Sequence, residues 1–207
     1  MKPPAQRENP LPRSAAKATV FEDIVTQRCR LRPFQFSDLE PFVEYRKHPE
    51  VARYQSWTTY SYAQALMLFA DLSSKAFGLH GEWYQIAVAD RHSDALIGDV
   101  AVHFSAPLTA EIGFTIAPQH QGRGYAREGV AGMLDYLLGD LGLQCVRATT
   151  DVRNVPSIGV LASLGFERLA DAPRQVTFKG QPGEEYDYYQ TRQDWLKQGT
   201  TRTPRTA

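Results

Sequence analysis

Apolar positions along the chain fall into two periods, and each period predicts a kind of element. From Gly124 to Asp140 and just beyond, Val130, Met133, Leu134, Leu137, Leu138 and Leu141 recur every three or four residues, the stripe of an amphipathic helix. Gly129 and Gly132 inside that stripe each cost roughly 1 kcal/mol relative to Ala, so the pattern predicts close packing of this helix on a sheet. Just upstream, Glu111 to Ala117 alternates: Ile112, Phe114 and Ile116 fall on one face, and Glu111, Gly113 and Thr115 on the other. Trp83 to Ala89 and Ala95 to Phe104 read as two further strands, and the short polar loops between the three suit antiparallel hairpins.

The remaining segments extend the order. A strand is expected at Thr26 to Pro33, followed by a helix announced by Ser37 and Glu40 at capping-box spacing, with Leu39, Phe42 and Val43 at helical intervals. A second helix is expected from Ser61 to Phe77, with Leu66, Phe69, Ala70 and Phe77 on one face and Gly78 as its left-handed cap. The loop joining these helices is aromatic, with Tyr54, Trp57, Tyr60 and Tyr62. After the long helix come a strand from Leu143 to Thr150, a helix from Asn154 to Leu164 ended by Gly165, and strands at Phe166 to Leu169 and Glu185 to Thr191. The order is βααβββαβαββ, about seven strands and four helices. Residues 1–20, with Pro3, Pro4, Pro10 and Pro12, and residues 197–207 have little apolar periodicity and read as mobile tails around one domain at 21–196.

Charge and composition narrow the function classes. Lys plus Arg equals Asp plus Glu, 23 against 23, which argues against a polyanion such as nucleic acid as partner. The two tails each carry +3, leaving −6 on the body, a field that weakly favours cationic partners. No apolar run approaches the roughly 18 to 20 residues of a membrane span, and the start lacks the apolar stretch of a secretory signal, so no membrane role and a cytoplasmic location are expected. Cys29 and Cys145 are too few for a disulfide scaffold, lack zinc-ligand spacing and read as reduced core residues; no metal is expected.

The informative segment runs from Glu111 through Gln119-His-Gln-Gly-Arg-Gly124 to Glu128. A strand ends, a glycine turn follows and a strong helix opens, so unpaired N–H groups and the positive end of a helix dipole meet in one concave turn suited to a phosphate. Gly122 and Gly124 permit close backbone approach, and Arg123 adds charge. The spacing is not that of a P-loop, which needs Gly-Lys-Ser/Thr, nor that of a dinucleotide fingerprint, which needs Gly where Arg127 stands. A tight turn that binds nothing is the plain structural alternative.

Gln119-His-Gln-Gly-Arg-Gly124 resembles the Gln/Arg-x-x-Gly-x-Gly/Ala acyl-CoA loop of the GNAT acetyltransferase superfamily. Asn154-Val-Pro-Ser-Ile-Gly-Val-Leu-Ala-Ser-Leu-Gly-Phe166 resembles that family's Asn-containing helix closing on Gly-Phe, and the likeness spans about Arg30 to Trp195. It implies a single α/β (α+β) domain with a central mixed, mostly antiparallel, twisted sheet. Many members carry a tyrosine seven residues after the asparagine; here that position is Leu161. Ser157, with Glu111-Ile-Gly-Phe114, is instead similar to the ribosomal-protein N-terminal (alanine or serine) acetyltransferase subgroup.

The resemblance implies an acetyl-CoA-dependent N-acetyltransferase acting by direct transfer to a primary amine, with a non-catalytic acyl-CoA sensor as the alternative. Glu111 is then the candidate base and Ser157 the candidate partner of the leaving thiolate. Phe114 and Ile116 would offer main-chain groups to the pantetheine arm and thioester carbonyl, and Gln119, Gln121, Gly122, Arg123, Gly124, Tyr125, Ala126 and Asn154 would complete the cofactor site. Asn154 also suits a helix N-cap, and Ser157 a first-turn serine bonded locally. For the acceptor, a small molecule or a peptide amine, Tyr54, Trp57, Trp83 and Tyr84 with Glu184, Glu185 and Asp187 are candidates for an aromatic and acidic pocket holding a cationic amine. His103 is a further acceptor-facing candidate, His120 reads as a solvated loop histidine, and a free sheet edge could pair in a homodimer.

Overall fold

A computed structural model describes residues 21–199. The chain forms β1 (Ile24–Val25), β2 (Cys29–Arg32), α1 (Leu39–Lys47), α2 (Pro49–Ala52), α3 (Tyr62–Ser74), β3 (Trp83–Asp90), β4 (Leu96–Ala106) and β5 (Thr109–Ile116). There follow α4 (Tyr125–Leu134), widening into a π turn over Asp135–Asp140, then β6 (Cys145–Asp151), α5 (Val155–Ser163), β7 (Glu167–Arg168), β8 (Arg174–Phe178), β9 (Gln181–Thr191) and α6 (Arg192–Gln198). The nine strands form one mixed sheet in the order β1-β2-β3-β4-β5-β6-β9-β7, with β8 also on β9; every pairing is antiparallel except β5 with β6.

The class agrees with the sequence, while β1, α2, β8 and α6 go beyond the seven strands and four helices expected. Lys197 and Gln198, read as the start of a tail, belong to α6, which Thr191 caps by accepting from the Asp194 N–H at 3.1 Å. The remaining tail residues, 1–20 and 200–207, lie outside the described residues.

Strand alternation divides the core in two. Ile86, Val88, Val100, Val102, Ile112 and Val146 point to one side, where Val130, Met133, Leu134 and Leu137 of α4 and its extension cover them. Ala87, on the other face, packs with Leu39, Phe42 and Val43 of α1 and Ala65 of α3. Gly132 allows the approach of α4: a side chain there would stand 2.9 Å from the Thr26 methyl and 3.4 Å from an Ile24 methyl. Burial pushes the Cys29 thiol up to about 12, which makes it a core residue rather than a nucleophile.

Two helix starts show how local signals and tertiary contacts compete. Ser61 and Gln64 form the capping box of α3 (Gln64 N–H to Ser61 Oγ 3.2 Å, Ser61 N–H to Gln64 Oε1 2.8 Å). The box ahead of α1 is formed by Gln35 and Asp38 instead of Ser37 and Glu40, because the buried Arg32 guanidinium draws Asp38 inward at 2.6 Å. α3 ends at Ser74 rather than Phe77, and Leu66 is exposed while its neighbour Ala65 is the buried contact.

Candidate active site

The site begins where two strands part. β5 and β6 pair only over Thr109–Glu111 and Cys145–Arg147; beyond that, Ala148 to Asp151 pair with β9 alone, and Ile112 to Ile116 have no strand partner on the β6 side among the described residues. The Ala117 N–H donates to the Ile97 carbonyl at 2.9 Å, so by alternation the main-chain groups of Phe114 and Ile116 face the open wedge. Gln121 crosses into it and donates through Nε2 to the Ile116 carbonyl at 2.8 Å.

After β5, Pro118–His120 make one 3-10 turn and the chain swings through the glycines into α4. Gly122 (φ +70°) and Gly124 (φ +81°) adopt left-handed backbone that side-chain-bearing residues rarely take. A side chain at Gly122 would meet nothing within 4 Å, so the turn is open to its surroundings. The N–H groups of the first turn of α4 have no intrahelical acceptor, and Arg123 and Arg127 carry no carboxylate partner among the described residues. That combination fits a phosphate or pyrophosphate.

Opposite the turn, α5 opens at Asn154, whose Oδ1 accepts the Ser157 N–H at 3.3 Å. The Ser157 hydroxyl makes no hydrogen bond among the described residues and lies on the wall of a cavity of ≈ 530 Å³. This cavity runs from the glycine turn, past Phe114 and Ile116, through the wedge to Thr115, Tyr54 and Gln55 on the α1 side of the sheet. Tyr54 OH donates to the Arg153 carbonyl (3.3 Å) and Gln55 Nε2 to Thr115 Oγ1 (3.4 Å), so the segment after α2 spans the wedge.

The cavity thus joins Phe114, Ile116, Gln121, Gly122, Gly124, Tyr125, Ala126, Asn154, Ser157 and Tyr54, all singled out from the sequence, and His120 also lines it. Gln119 faces a separate hollow with Glu44 and His48, and Arg123 is exposed beside the turn, where its carbonyl accepts from Arg28 Nη1 at 2.9 Å. Glu111 is half-buried on the α1 side of the sheet, one alternation beyond Gly113 and off the cavity wall. Burial pushes its carboxyl above the ordinary range; His103 and Arg147 pull it back, and Asp187 and Glu185 push it further up.

The expected acceptor cluster does not assemble. Trp83 and Tyr84 are consecutive in β3 and face opposite sides: Trp83 stacks on His103 (4.8 Å between centroids) beside Glu111, whereas Tyr84 is 3% exposed in the α4-side core. Trp57 packs on Arg46 of α1 (4.0 Å from guanidinium to ring) and donates to its carbonyl, outside the cavity. The acids are already engaged: Arg174 binds Glu185 and Asp187, each at 3.0 Å, and Gln175 donates to Glu184 at 2.6 Å. Arg127, Thr115 and Gln55 line the cavity without having been singled out. Arg127 was legible as a first-turn cation, but Gln55 arrives from an element 60 residues before Thr115, with no local signal.

Comparison with known proteins places this fold among acetyltransferases. The sequence pattern of the acetyltransferase (GNAT) domain matches residues 28–167. An uncharacterised N-acetyltransferase, p20, of Bacillus licheniformis is 29% identical over 154 residues, covering 72% of this chain and 84% of that protein. Among solved structures, a GNAT-family acetyltransferase from Bacillus anthracis superposes with a TM-score of 0.75 at 22% identity, over 83% of this chain and 99% of the other. Spermidine N-acetyltransferase from Vibrio cholerae, in complex with CoA and spermine, gives 0.71 at 21% identity, over 83% and 99%. At these identities the structural likeness is one of fold.

Proposed function

This chain belongs to the GNAT acetyltransferase family, and from that premise we propose that it transfers an acetyl group from acetyl-CoA directly to a primary amine held on the α1 side of the sheet. The observation that carries this reading is the cavity through the β5–β6 wedge. It has a glycine turn and helix start suited to an anion at one end, strand backbone without a strand partner in the middle and access to the Glu111 face at the other.

When bound, acetyl-CoA supplies an acyl thioester. The N–H groups opening α4, with Arg123 and Arg127, receive the pyrophosphate end. Main-chain groups of Phe114 and Ile116 hold the pantetheine arm as a strand would, and an N–H aimed at the carbonyl stabilises the charge that develops there during attack. Only a neutral amine attacks, and a lysine-like amine has an unperturbed pKa of about 10.4, so a base is needed at neutral pH. Glu111, raised by burial, accepts that proton directly or through water. A thiol leaves readily at a pKa of about 8.5, so the unpaired Ser157 hydroxyl need only donate a hydrogen bond to the departing sulfur. No side chain is required as a covalent carrier.

The test is calorimetric titration with acetyl-CoA of the wild type and of Gly159→Trp. Gly159 lines the cavity from α5, and a Cβ there would meet nothing within 4 Å, so the substitution places an indole at the cavity wall without a clash at its root, and an unchanged Tm checks that the fold is kept. Binding by the wild type and its loss in the variant, followed by thiol release with a panel of amines, are the expected results. Absence of binding by the wild type overturns the reading.

A further inference from the structure

Resting on the acetyltransfer reading, the charges around Glu111 identify a class of acceptor. Trp83, His103, Glu111, Arg147 and Tyr189 stand in register across β3, β4, β5, β6 and β9, so their side chains share the α1 side of the sheet. Between Glu111 and Thr115 on that face lies Gly113, which has neither a positive φ nor a packing reason to be glycine: a side chain there would touch only the Ala101 methyl, at 3.9 Å. A glycine inside a strand weakens it and often marks where a ligand approaches closely. A trough therefore runs from Thr115 on the cavity wall to Glu111.

The two further acids beside this trough are already paired. Asp187 and Glu185 are held by Arg174, and Asp187 also accepts from Thr149 Oγ1 at 3.0 Å. Arg147 is exposed and makes no hydrogen bond or ion pair within 4 Å among the described residues, although its charge acts on both Glu111 and Asp187. Arg147 is the register partner of Glu111 at the last paired position before the strands part, and neighbouring strands lie ~4.8 Å apart, so its long side chain can extend beside Glu111 toward the open wedge.

We propose that the acceptor is a small amine that also carries a carboxylate, an amino acid in its simplest form, with its nitrogen above Gly113 toward Glu111 and its carboxylate on the Arg147 guanidinium. Arginine presents paired donors that match a carboxylate. In the transfer, the amine lone pair forms the new N–C bond as the C–S bond breaks, the sulfur leaves with the C–S electron pair and takes a proton from solvent, and the proton lost by the nitrogen passes to Glu111, which returns it to solvent. The products are the N-acetyl amino acid and free CoA thiol. A polyamine would bring a second cation against Arg147, and a peptide N-terminus lacks the adjacent carboxylate because its α-carboxyl is an amide.

The experiment measures thiol release from acetyl-CoA with the standard amino acids, their α-amides and spermidine, using wild type, Arg147→Gln and Arg147→Lys, each checked for unchanged Tm. The expected result is a wild-type preference in kcat/KM for one or more acids over the matched amides and over spermidine. In Arg147→Gln, KM for the acid rises at least tenfold with little change in kcat, KM for the amide is unchanged, and Arg147→Lys restores part of the loss. Preference for amides or spermidine, or an equal effect of Arg147→Gln on acid and amide, overturns this inference and leaves the acetyltransfer reading standing. Failure to bind acetyl-CoA overturns that reading, and this one with it.

Discussion

Glu128, in the first turn of α4, is ion-paired to Arg28 at 2.7 Å across one hundred residues of sequence, and Arg28 also donates through Nη1 to the Arg123 carbonyl at 2.9 Å. The Glu128 carboxylate accepts further bonds from the Arg28 N–H (2.6 Å) and Thr26 Oγ1 (2.7 Å). The glycine turn is therefore held from outside by the turn between β1 and β2, and its inner, cavity-facing side is left free. This arrangement also spends the charge of Glu128, which would otherwise oppose an anion at the start of α4.

Replacing Glu128 with Gln should cost about 1.5 to 3 kcal/mol, the range for hydrogen bonds to charged groups, and should weaken acetyl-CoA binding by loosening the turn. Burial opposes ionisation of this carboxyl, but its bonds from Thr26 and Arg28 outweigh that and hold it below the ordinary range. A depressed folded pKa contributes stability that is present above the unfolded value of about 4.3 and is lost as pH falls through the folded value. Thermal melts between pH 7 and pH 3 should show the wild-type advantage over Glu128→Gln shrinking only at the acid end.

With Glu111 as the proposed base for the amine, Glu111→Gln should lower kcat by ~10²- to 10⁴-fold with acetyl-CoA affinity unchanged. Since burial raises its pKa, the ascending limb of the wild-type kcat/KM profile should lie above the ordinary carboxylate range, and that limb should vanish in the variant. An unchanged limb in Glu111→Gln would show that another group takes the proton.

Ser157→Ala should slow turnover modestly. One hydrogen bond is worth roughly 1 kcal/mol, about five- to tenfold in rate, and the thiol leaves well unaided. The backbone N–H of Ser157, which Asn154 caps, is retained in this variant, so melting temperature should be unchanged. Asn154→Ala, by contrast, should lose about 1 kcal/mol of stability through the missing cap.

Arg32→Ala should be the most damaging of these changes to stability. Arg32 and Asp38 have side chains 3% and 4% exposed and are joined at 2.6 Å, so truncation leaves a buried carboxylate without its partner, costing about 3 to 5 kcal/mol by denaturant titration. Arg32→Ala combined with Asp38→Ala should recover much of that loss.

The strands β3, β4 and β5, the helices α4 and α5, and the glycine turn were legible in the sequence to within a residue or two at most ends. Side-chain alternation, three-to-four spacing and the caps at Ser61 and Asn154 act between near neighbours, and such signals survive in any tertiary context. At the start of α1 a contact outside the capping spacing decided, as Arg32 did in drawing Asp38 inward where Ser37 and Glu40 had the box spacing. β8 and α6 escaped notice for a related reason. The β8–β9 hairpin is largely polar on both faces, and α6 starts directly where β9 ends, with no intervening loop to mark it.

The sequence by itself determined that a strand runs into a glycine turn and a helix, and that Ser157 sits in the first turn of a capped helix. Tertiary structure alone decided that β6 pairs with only three residues of β5 and then turns to β9, which opens the wedge and brings Gln55, Thr115 and Ser157 onto one cavity. It also decided that Trp83 faces the α1 side of the sheet while Tyr84 is core, and that Arg174 engages the acids and leaves Arg147 beside Glu111 without an ion pair within 4 Å among the described residues. The physical reason is range. Periodicity and capping are set within four residues, whereas divergence of paired strands and matching of charges depend on elements that meet only once the sheet has formed.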